Sequence, residues 1–260
     1  MRIFDAHIHV DTRGIGDLKT LALFGTEAVV TCAHDYMDFS CAASVLDHWN
    51  RIMTLDRKRL AANNIQAFIA LGLHPGGIPR TGEEEVLGKL REKLGIEGVV
   101  AIGEIGLHRY TEDELRVFRR QLDLGKELNK PCIVHTPERQ KAEVTRRVLD
   151  VITDVGIDKD LVLIDHVNED TFEMVRSFGG WIGLSVQTGK LSDERAASLI
   201  AAHGADRVIL NSDLASLSDD VLALPKAVFQ MKRMSLPRRE IERAVFDNAV
   251  AFFGAENGTP

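Results

Sequence analysis

The sequence has few aromatic residues, few cysteines and no long apolar run. Aromatics make up 6% of the 260 residues, and the three cysteines are Cys32, Cys41 and Cys132. Their odd number and lack of paired spacing argue against the disulfide framework of a secreted protein, so a cytoplasmic location is expected. No apolar run is long enough to span a bilayer and no signal peptide precedes the first apolar segment, so no export or membrane anchoring is expected.

Basic residues are also fewer than acidic residues. The chain has 32 Lys and Arg against 39 Asp and Glu, which gives a formal net charge of −7 and a pI near 5.7. The overall field of such a protein does not attract a polyanion. Binding of nucleic acid would therefore need a local basic or metal-bearing site.

Short apolar runs do occur, and they alternate with segments of helical periodicity. This alternation is typical of βα units and a parallel sheet. The predicted strands number eight, the number that closes a (β/α)₈ TIM barrel. We expect one α/β domain over residues 1–254 and a flexible tail over 255–260, with strands at 2–8, 27–32, 66–73, 99–105, 131–135, 161–166, 181–185 and 207–210.

Helical patterns follow every predicted strand except the first. The run Thr111-Glu-Asp-Glu114 is typical of a capping box at a helix N-terminus. Residues 38–64 fit either one extended helix or two.

The histidines concentrate where a barrel enzyme places its chemistry. In a TIM barrel the active site lies at the C-terminal ends of the strands. We assign His48 and His203, which fall in helical segments, to the surface. The other histidines lie at or just after predicted strand ends: His7, His9, His34, His74, His108, His135 and His166.

His7 and His9 form the sharpest local motif. Residues two apart on a strand point to the same side, so both imidazoles can project toward one metal ion. The alternative is two polar side chains at a strand end. The other strand-end residues favour the metal interpretation, because each would otherwise need a separate explanation.

Glu104 ends an otherwise apolar strand, where an unpaired buried charge would be costly. Its partner is either a metal ion or a basic side chain such as Arg109. His135 and His166 also end apolar runs and are metal-ligand candidates, with satisfied core histidines as the alternative. Asp213 follows the last predicted strand, where it could contact a metal and its water or cap the next helix.

The chain resembles the TatD family of metal-dependent hydrolases, within the amidohydrolase-like barrels. The resemblance implies that His7, His9 and Asp213 hold one metal, that His135 and His166 hold a second, and that Glu104 bridges both. It covers nearly the whole chain and rests on Asp5-Ala-His-Ile-His9, Gly72-Leu-His-Pro75, Ala101-Ile-Gly-Glu-Ile-Gly-Leu107, Lys130-Pro-Cys-Ile-Val-His135, His166, Asp213 and Asn248-Ala-Val-Ala-Phe-Phe-Gly254.

Several loop positions differ from the usual family pattern. His108 stands where family members have Asp, Thr136 and Pro137 replace a Ser-Arg pair, and Asn211 stands where an acidic residue is usual. Because these loops would face substrate, the family resemblance alone does not fix the substrate. Arg139 is a candidate replacement for the phosphate-contacting arginine, with a helix-surface role as the alternative.

His74 is a candidate for substrate contact, with a structural role as the alternative, and we interpret His34 and His108 as loop residues. The predicted cofactors are two divalent ions. Histidine and carboxylate ligands favour Zn or Mn, with Fe, Co or Mg as alternatives.

The expected chemistry is hydrolysis. Two ions can lower the pKa of a shared water toward about 7, and Asp213 is placed to accept its proton. Two ions contribute roughly +4 against about −2 from Glu104 and Asp213 and −1 from hydroxide, which favours an anionic small molecule or a nucleic-acid end. We therefore expect phosphate-ester hydrolysis, with DNA 3′ ends as one candidate substrate. An amidohydrolase or lactonase, and a metal-bound non-catalytic scaffold, are the alternatives.

Overall fold

A computed structural model describes residues 1–33, 38–216 and 218–255. Its eight parallel strands form one sheet in sequential order, with helices between them, and this confirms the predicted TIM barrel. His34 and positions 256–260 of the predicted tail lie outside the described residues. The strands are β1 (Ile3–Ile8), β2 (Thr26–Cys32), β3 (Gln66–Leu71), β4 (Val99–Gly106), β5 (Cys132–His135), β6 (Val162–Ile164), β7 (Trp181–Ser185) and β8 (Val208–Asn211).

Helices cover the outside of the sheet, so the strands are buried on both faces and consist largely of apolar residues. No helix in the described ranges is both long and apolar enough to cross a membrane. The helices are α1 (Ile15–Leu23), α2 (Ala42–Arg51), α3 (Arg57–Ala61), α4 (Glu83–Lys93), α5 (Glu112–Leu128), α6 (Lys141–Val155), α7 (Phe172–Phe178), α8 (Asp193–His203), α9 (Ala223–Arg233), α10 (Arg238–Glu242) and α11 (Asn248–Phe253).

One helical segment differs from the sequence-based expectation, and another decides between two stated alternatives. α1 supplies a crossover after β1, where no helical pattern was assigned. α2 and α3 form one extended helix, because a π-helical segment at Ile52–Asp56 joins them without a break. The surface assignment of His48 is wrong: the side chain lies on the buried face of α2 with Val45 and Trp49, and its Nε2 is 3.7 Å from Asp11 Oδ2.

α5 begins at the predicted N-cap residue, but the Glu114 side chain bonds the loop before Thr111 and not the Thr111 N–H that a capping box uses. The Thr111 hydroxyl accepts a hydrogen bond from the Glu114 backbone N–H at 3.2 Å. The Glu114 carboxylate accepts hydrogen bonds from the backbone N–H groups of His108, Arg109 and Tyr110 at 2.8 to 3.1 Å. These bonds fix the β4–α5 loop at the mouth of the barrel.

The barrel closes between its first and last strands. The Asp213 N–H donates to the His7 carbonyl at 2.8 Å, and the His9 N–H donates to the Leu214 carbonyl at 3.0 Å. Ile8 and Leu214 also form a parallel bridge. This closure carries Asp213 to the side of the His7 and His9 imidazoles.

Candidate metal centre

The structure brings the six predicted ligand residues together at the C-terminal mouth of the barrel. Each belongs to a strand end or follows one directly, and all six are buried. His166 and Asp213 have φ values of 60° and 44°, a left-handed backbone conformation that is uncommon for non-glycine residues and often occurs at functional sites. The set is His7, His9, Glu104, His135, His166 and Asp213.

Four donor atoms form the first donor set. His7 Nε2 lies 3.2 Å from His9 Nε2 and 3.5 Å from Glu104 Oε2. Asp213 Oδ1 lies 3.2 Å from His9 Nε2 and 3.6 Å from His7 Nε2. Ligand atoms about 2.0–2.2 Å from one tetrahedral ion are separated by about 3.3 Å, so these distances fit a single divalent ion.

The second donor set lies on the opposite oxygen of Glu104. Glu104 Oε1 is 2.9 Å from His135 Nδ1 and 2.7 Å from His166 Nε2. One carboxylate therefore presents Oε2 to the first donor set and Oε1 to the second. The Glu104 carboxylate therefore lies between the two sets and contacts both.

Hydrogen-bond partners orient two of the imidazoles. The Asp165 carboxylate can only accept, so His7 Nδ1–H donates to Asp165 Oδ2 at 2.6 Å. Ser185 donates its hydroxyl proton to Asp165 Oδ1, so His166 Nδ1–H donates to Ser185 Oγ at 2.7 Å. In the neutral rings that metal binding requires, the Nε2 lone pairs face the carboxylates, an arrangement that a cation between them stabilises.

The carboxylates of both donor sets are anionic. Burial alone raises the pKa of Glu104, but the neighbouring His7 and His135 outweigh burial and hold the pKa well below its ordinary value. Burial also raises the pKa of Asp213, while Lys190 and His7 bring the net pKa well below the ordinary range. Anionic carboxylates beside histidine nitrogens, which release any proton when a metal binds, are a donor set that fits divalent metals.

Asp165 is a functional candidate that we did not predict from the sequence. It is fully buried and accepts hydrogen bonds from the His7 imidazole, the Ser185 hydroxyl and, at 2.8 Å, the side-chain amide of Asn211. Burial raises the pKa of Asp165, but His166 and the bond from His7 lower it below the ordinary value. The available signal was an acidic residue inside an apolar strand, the same signal that identified Glu104.

Gly183 makes room for Asp165. A Cβ built at Gly183 would lie 2.2 Å from Asp165 Oδ1 and 3.0 Å from its Cα. Gly183→Ala should therefore displace the aspartate, which destabilises the fold by about 1–3 kcal/mol and weakens metal binding by about 10- to 100-fold through His7. Urea unfolding and a metal titration measure the two effects.

The control for this change is Gly16→Ala, because a Cβ at Gly16 on α1 meets no atom within 4 Å. It should leave metal affinity unchanged. Equal metal affinity in Gly183→Ala and the wild type would show that Asp165 does not orient His7 for metal binding.

His74 faces the same cluster with a defined tautomer. Its Nδ1 accepts the Gly76 backbone N–H at 3.0 Å, and its Nε2 lies 3.9 Å from Glu104 Oε2. One possible ligand atom from each of His74, Glu104 and His135 lies within 4.8 Å of the other two, close enough to share a metal ion. However, burial and the neighbouring His135 hold the pKa of His74 well below its ordinary value, so the ring is neutral and carries its proton on Nε2. A nitrogen that bears a proton donates hydrogen bonds and does not bind a metal.

Lys190 is a second residue that we did not predict. It follows β7 in a loop, and its ammonium contacts Asp213 Oδ2 and lies 3.1 Å and 3.3 Å from the two ring nitrogens of His166. No local sequence pattern predicts this contact, because the loop after β7 must first meet the residues that follow β6 and β8.

The cluster opens into a cavity of about 500 Å³. Arg139 lines it from the turn before α6 and Arg109 from the β4–α5 loop, and neither forms an ion pair with any residue that the structure describes. The alternative pairing of Glu104 with Arg109 therefore does not occur. His108 also lines the cavity, with Nδ1 3.3 Å from His135 Nε2.

Comparisons with known proteins identify the family of this chain. The family model described as TatD related DNase matches residues 4–254. The chain belongs to the TatD-related DNase family. An uncharacterized metal-dependent hydrolase of Methanocaldococcus jannaschii is 41% identical over 252 residues, which cover 96% of this chain and 99% of the relative. Family membership and this relative support the coarse expectation of a metal-dependent hydrolase.

Solved structures share the fold of this TatD-family protein. A TatD-like protein from Archaeoglobus fulgidus superposes with a TM-score of 0.83 at 32% identity and covers 96% of this chain and 99% of its own. A phosphotriesterase homology protein from Escherichia coli, complexed with phosphate in its active site, gives a TM-score of 0.73 at 16% identity, with 97% and 98% covered. The second similarity shows the shared barrel alone.

Proposed function

We propose that this chain hydrolyses phosphate esters with two divalent ions held by the first and second donor sets. The observation that carries the proposal is Glu104, whose two oxygens face the two sets separately. When bound, such ions supply Lewis acidity and a water of lowered pKa. Four histidines with carboxylates favour Zn or Mn, with Fe, Co or Mg as alternatives.

The side chains around the donor sets have distinct roles in this proposal. Asp213 is anionic at neutral pH and accepts the proton of the attacking water. His74 donates a hydrogen bond from its Nε2–H to an oxygen of the substrate and keeps the proton, because its Nδ1 already accepts the Gly76 N–H. Asp165 keeps His7 in the tautomer whose Nε2 faces the donor set.

Charge favours an anionic substrate. Arg109 and Arg139 line the cavity without an acidic partner among the described residues, and we propose that they contact negative groups of the substrate outside the donor sets. An anionic small molecule and a nucleic-acid end, including a DNA 3′ end, both have this chemistry. The acidic surface elsewhere disfavours tight binding along an extended polyanion.

A reducing compartment fits the cysteines. Cys32, Cys41 and Cys132 are all free thiols, and two of them are buried. We propose a cytoplasmic location on this basis.

The test begins with elemental analysis of the purified protein, followed by assays on a phosphodiester, a phosphomonoester, a lactone and 3′-labelled DNA. The phosphodiester should turn over, and His166→Ala should lower kcat/KM by about 10²-fold or more, since metal catalysis contributes several kcal/mol. His203→Ala is the matched control, because His203 is partly exposed at the end of α8 and its ring pairs with Glu173.

The other outcomes support the alternatives. Turnover of the lactone alone would identify a carbonyl hydrolase, the activity named for a Deinococcus radiodurans lactonase that shares the barrel at 18% identity. A full complement of metal with no turnover on the whole panel would identify a non-catalytic scaffold.

A further inference from the structure

The loop between β7 and α8 is a tight, internally bonded turn. The Gln187 N–H donates to the Leu191 carbonyl at 3.1 Å, and the Lys190 N–H donates to the Gln187 carbonyl at 3.0 Å. The Gln187 side chain donates to the Asp213 carbonyl and, at 3.0 Å, to the Asp219 carboxylate. The backbone of Lys190 is therefore fixed relative to the chain that carries Asp213.

This turn directs a largely buried ammonium into the reaction cavity. Only 17% of the Lys190 side chain is exposed, and the residue lines the same cavity as Glu104, His166 and Asp213. The neighbouring Lys226 differs, because it lies on the outer helix α9 with half of its side chain exposed and pairs with Asp220.

The hydrogen bonds that Lys190 already makes show how many of its N–H groups can still bind a ligand. An ammonium has three N–H donors, and Asp213 Oδ2 accepts one. His166 Nδ1 cannot accept another, since it donates to Ser185, and the lone pair of His166 Nε2 is the one that the proposed function assigns to an ion of the second donor set. N–H groups of Lys190 therefore remain able to donate hydrogen bonds to a ligand in the cavity.

We propose that Lys190 is the group that binds an anionic oxygen of the substrate beside the donor sets, and so selects phosphate esters over neutral esters. This inference rests on the proposed function. Divalent ions in the donor sets would repel a buried ammonium, and a negative oxygen between them would offset that repulsion. Charge-assisted hydrogen bonds to such an oxygen are about twice as strong as neutral ones, which gives the contact its selectivity.

Binding of inorganic phosphate to the metal-loaded protein tests the proposal by calorimetry, without any need for turnover. Lys190→Met removes the charge at similar length, and Lys190→Gln is a second variant that keeps a polar end. Each should keep the wild-type metal content and bind phosphate about 10- to 100-fold more weakly, as expected for loss of a hydrogen-bonded charge. Lys226→Met is the matched control and should bind phosphate normally.

Two results would overturn the inference. Unchanged phosphate affinity in a variant with full metal would show that Lys190 does not meet the anion. Loss of metal in both variants would show that Lys190 serves to hold Asp213 in place. If no phosphate ester is hydrolysed, the proposed function fails, while the phosphate titration still decides the role of Lys190.

Kinetics adds an independent readout where the panel finds turnover. Because Lys190 also contacts Asp213, Lys190→Met should change the turnover of both substrates, but kcat/KM should fall about 10-fold further for the phosphodiester than for a neutral lactone, because only the first substrate carries a charge. Equal losses on both substrates would contradict selection by charge.

Discussion

Glu104→Ala is expected to remove most of the bound metal and to lower turnover by about 10³-fold or more, because several kcal/mol of metal catalysis depend on it. The side chain presents a separate oxygen to each donor set, so its loss weakens both sets at once. The histidines that remain would form two incomplete sites without a shared negative charge. Elemental analysis after gel filtration gives the metal content, and the best substrate of the panel gives the rate.

The control for this change is Glu92→Ala, since Glu92 is an exposed glutamate on α4 that pairs with Lys89. Its replacement should leave metal and turnover unaltered. Glu104→Gln keeps the size of the side chain and should also lose metal, because the amide lacks the charge. Full metal content in both Glu104 variants would assign Glu104 a purely structural role.

Asp213→Asn is expected to lower kcat by about 10²-fold or more while part of the metal is retained, since a positioned acid–base group contributes 10²–10⁴-fold. The amide keeps an oxygen beside His9 but loses the basicity needed to accept a proton. KM should change less than kcat, because the proposed substrate contacts come from Lys190, Arg109 and Arg139. Steady-state kinetics and metal analysis on the same preparations measure these effects.

Asp206→Asn serves as the control, because Asp206 is an exposed aspartate that pairs with Arg243. A normal kcat in Asp213→Asn with full metal would remove Asp213 from the mechanism. Loss of all metal would assign it a ligand role alone, and proton transfer would then need another acceptor.

The barrel was predictable because its strands are buried on both faces and therefore form apolar runs with polar ends. Strand boundaries were less predictable. The sixth predicted strand reached residue 166, whereas β6 ends at Ile164. The backbone at His166 is left-handed, a conformation that leaves the strand and that no residue type in this run signals.

The residues of the donor sets were visible because metal-binding side chains at the ends of apolar strands are unusual. The contacts that orient these residues could not be predicted from the sequence. Asp165 acts through the imidazole of His7, some 158 positions away, and Lys190 reaches Asp213 from the loop after β7. Such contacts depend on the register between strands and on loop conformation, which local composition does not encode. The surface prediction for His48 was wrong because this residue shares the apolar face of α2 with Val45 and Trp49, which its own polarity does not indicate.

Closure of the barrel determines the order in which the two donor sets can form during translation. Glu104, His135 and His166 lie at three consecutive strands, β4 to β6, and these strands pair directly with one another. The first donor set instead joins His7 and His9, which are synthesised at the start, with Asp213, which follows the final strand. Because chains emerge N-terminus first, the second donor set can assemble while translation continues. The first has to wait until β8 reaches β1, so the two donor sets should form at different times in a nascent chain.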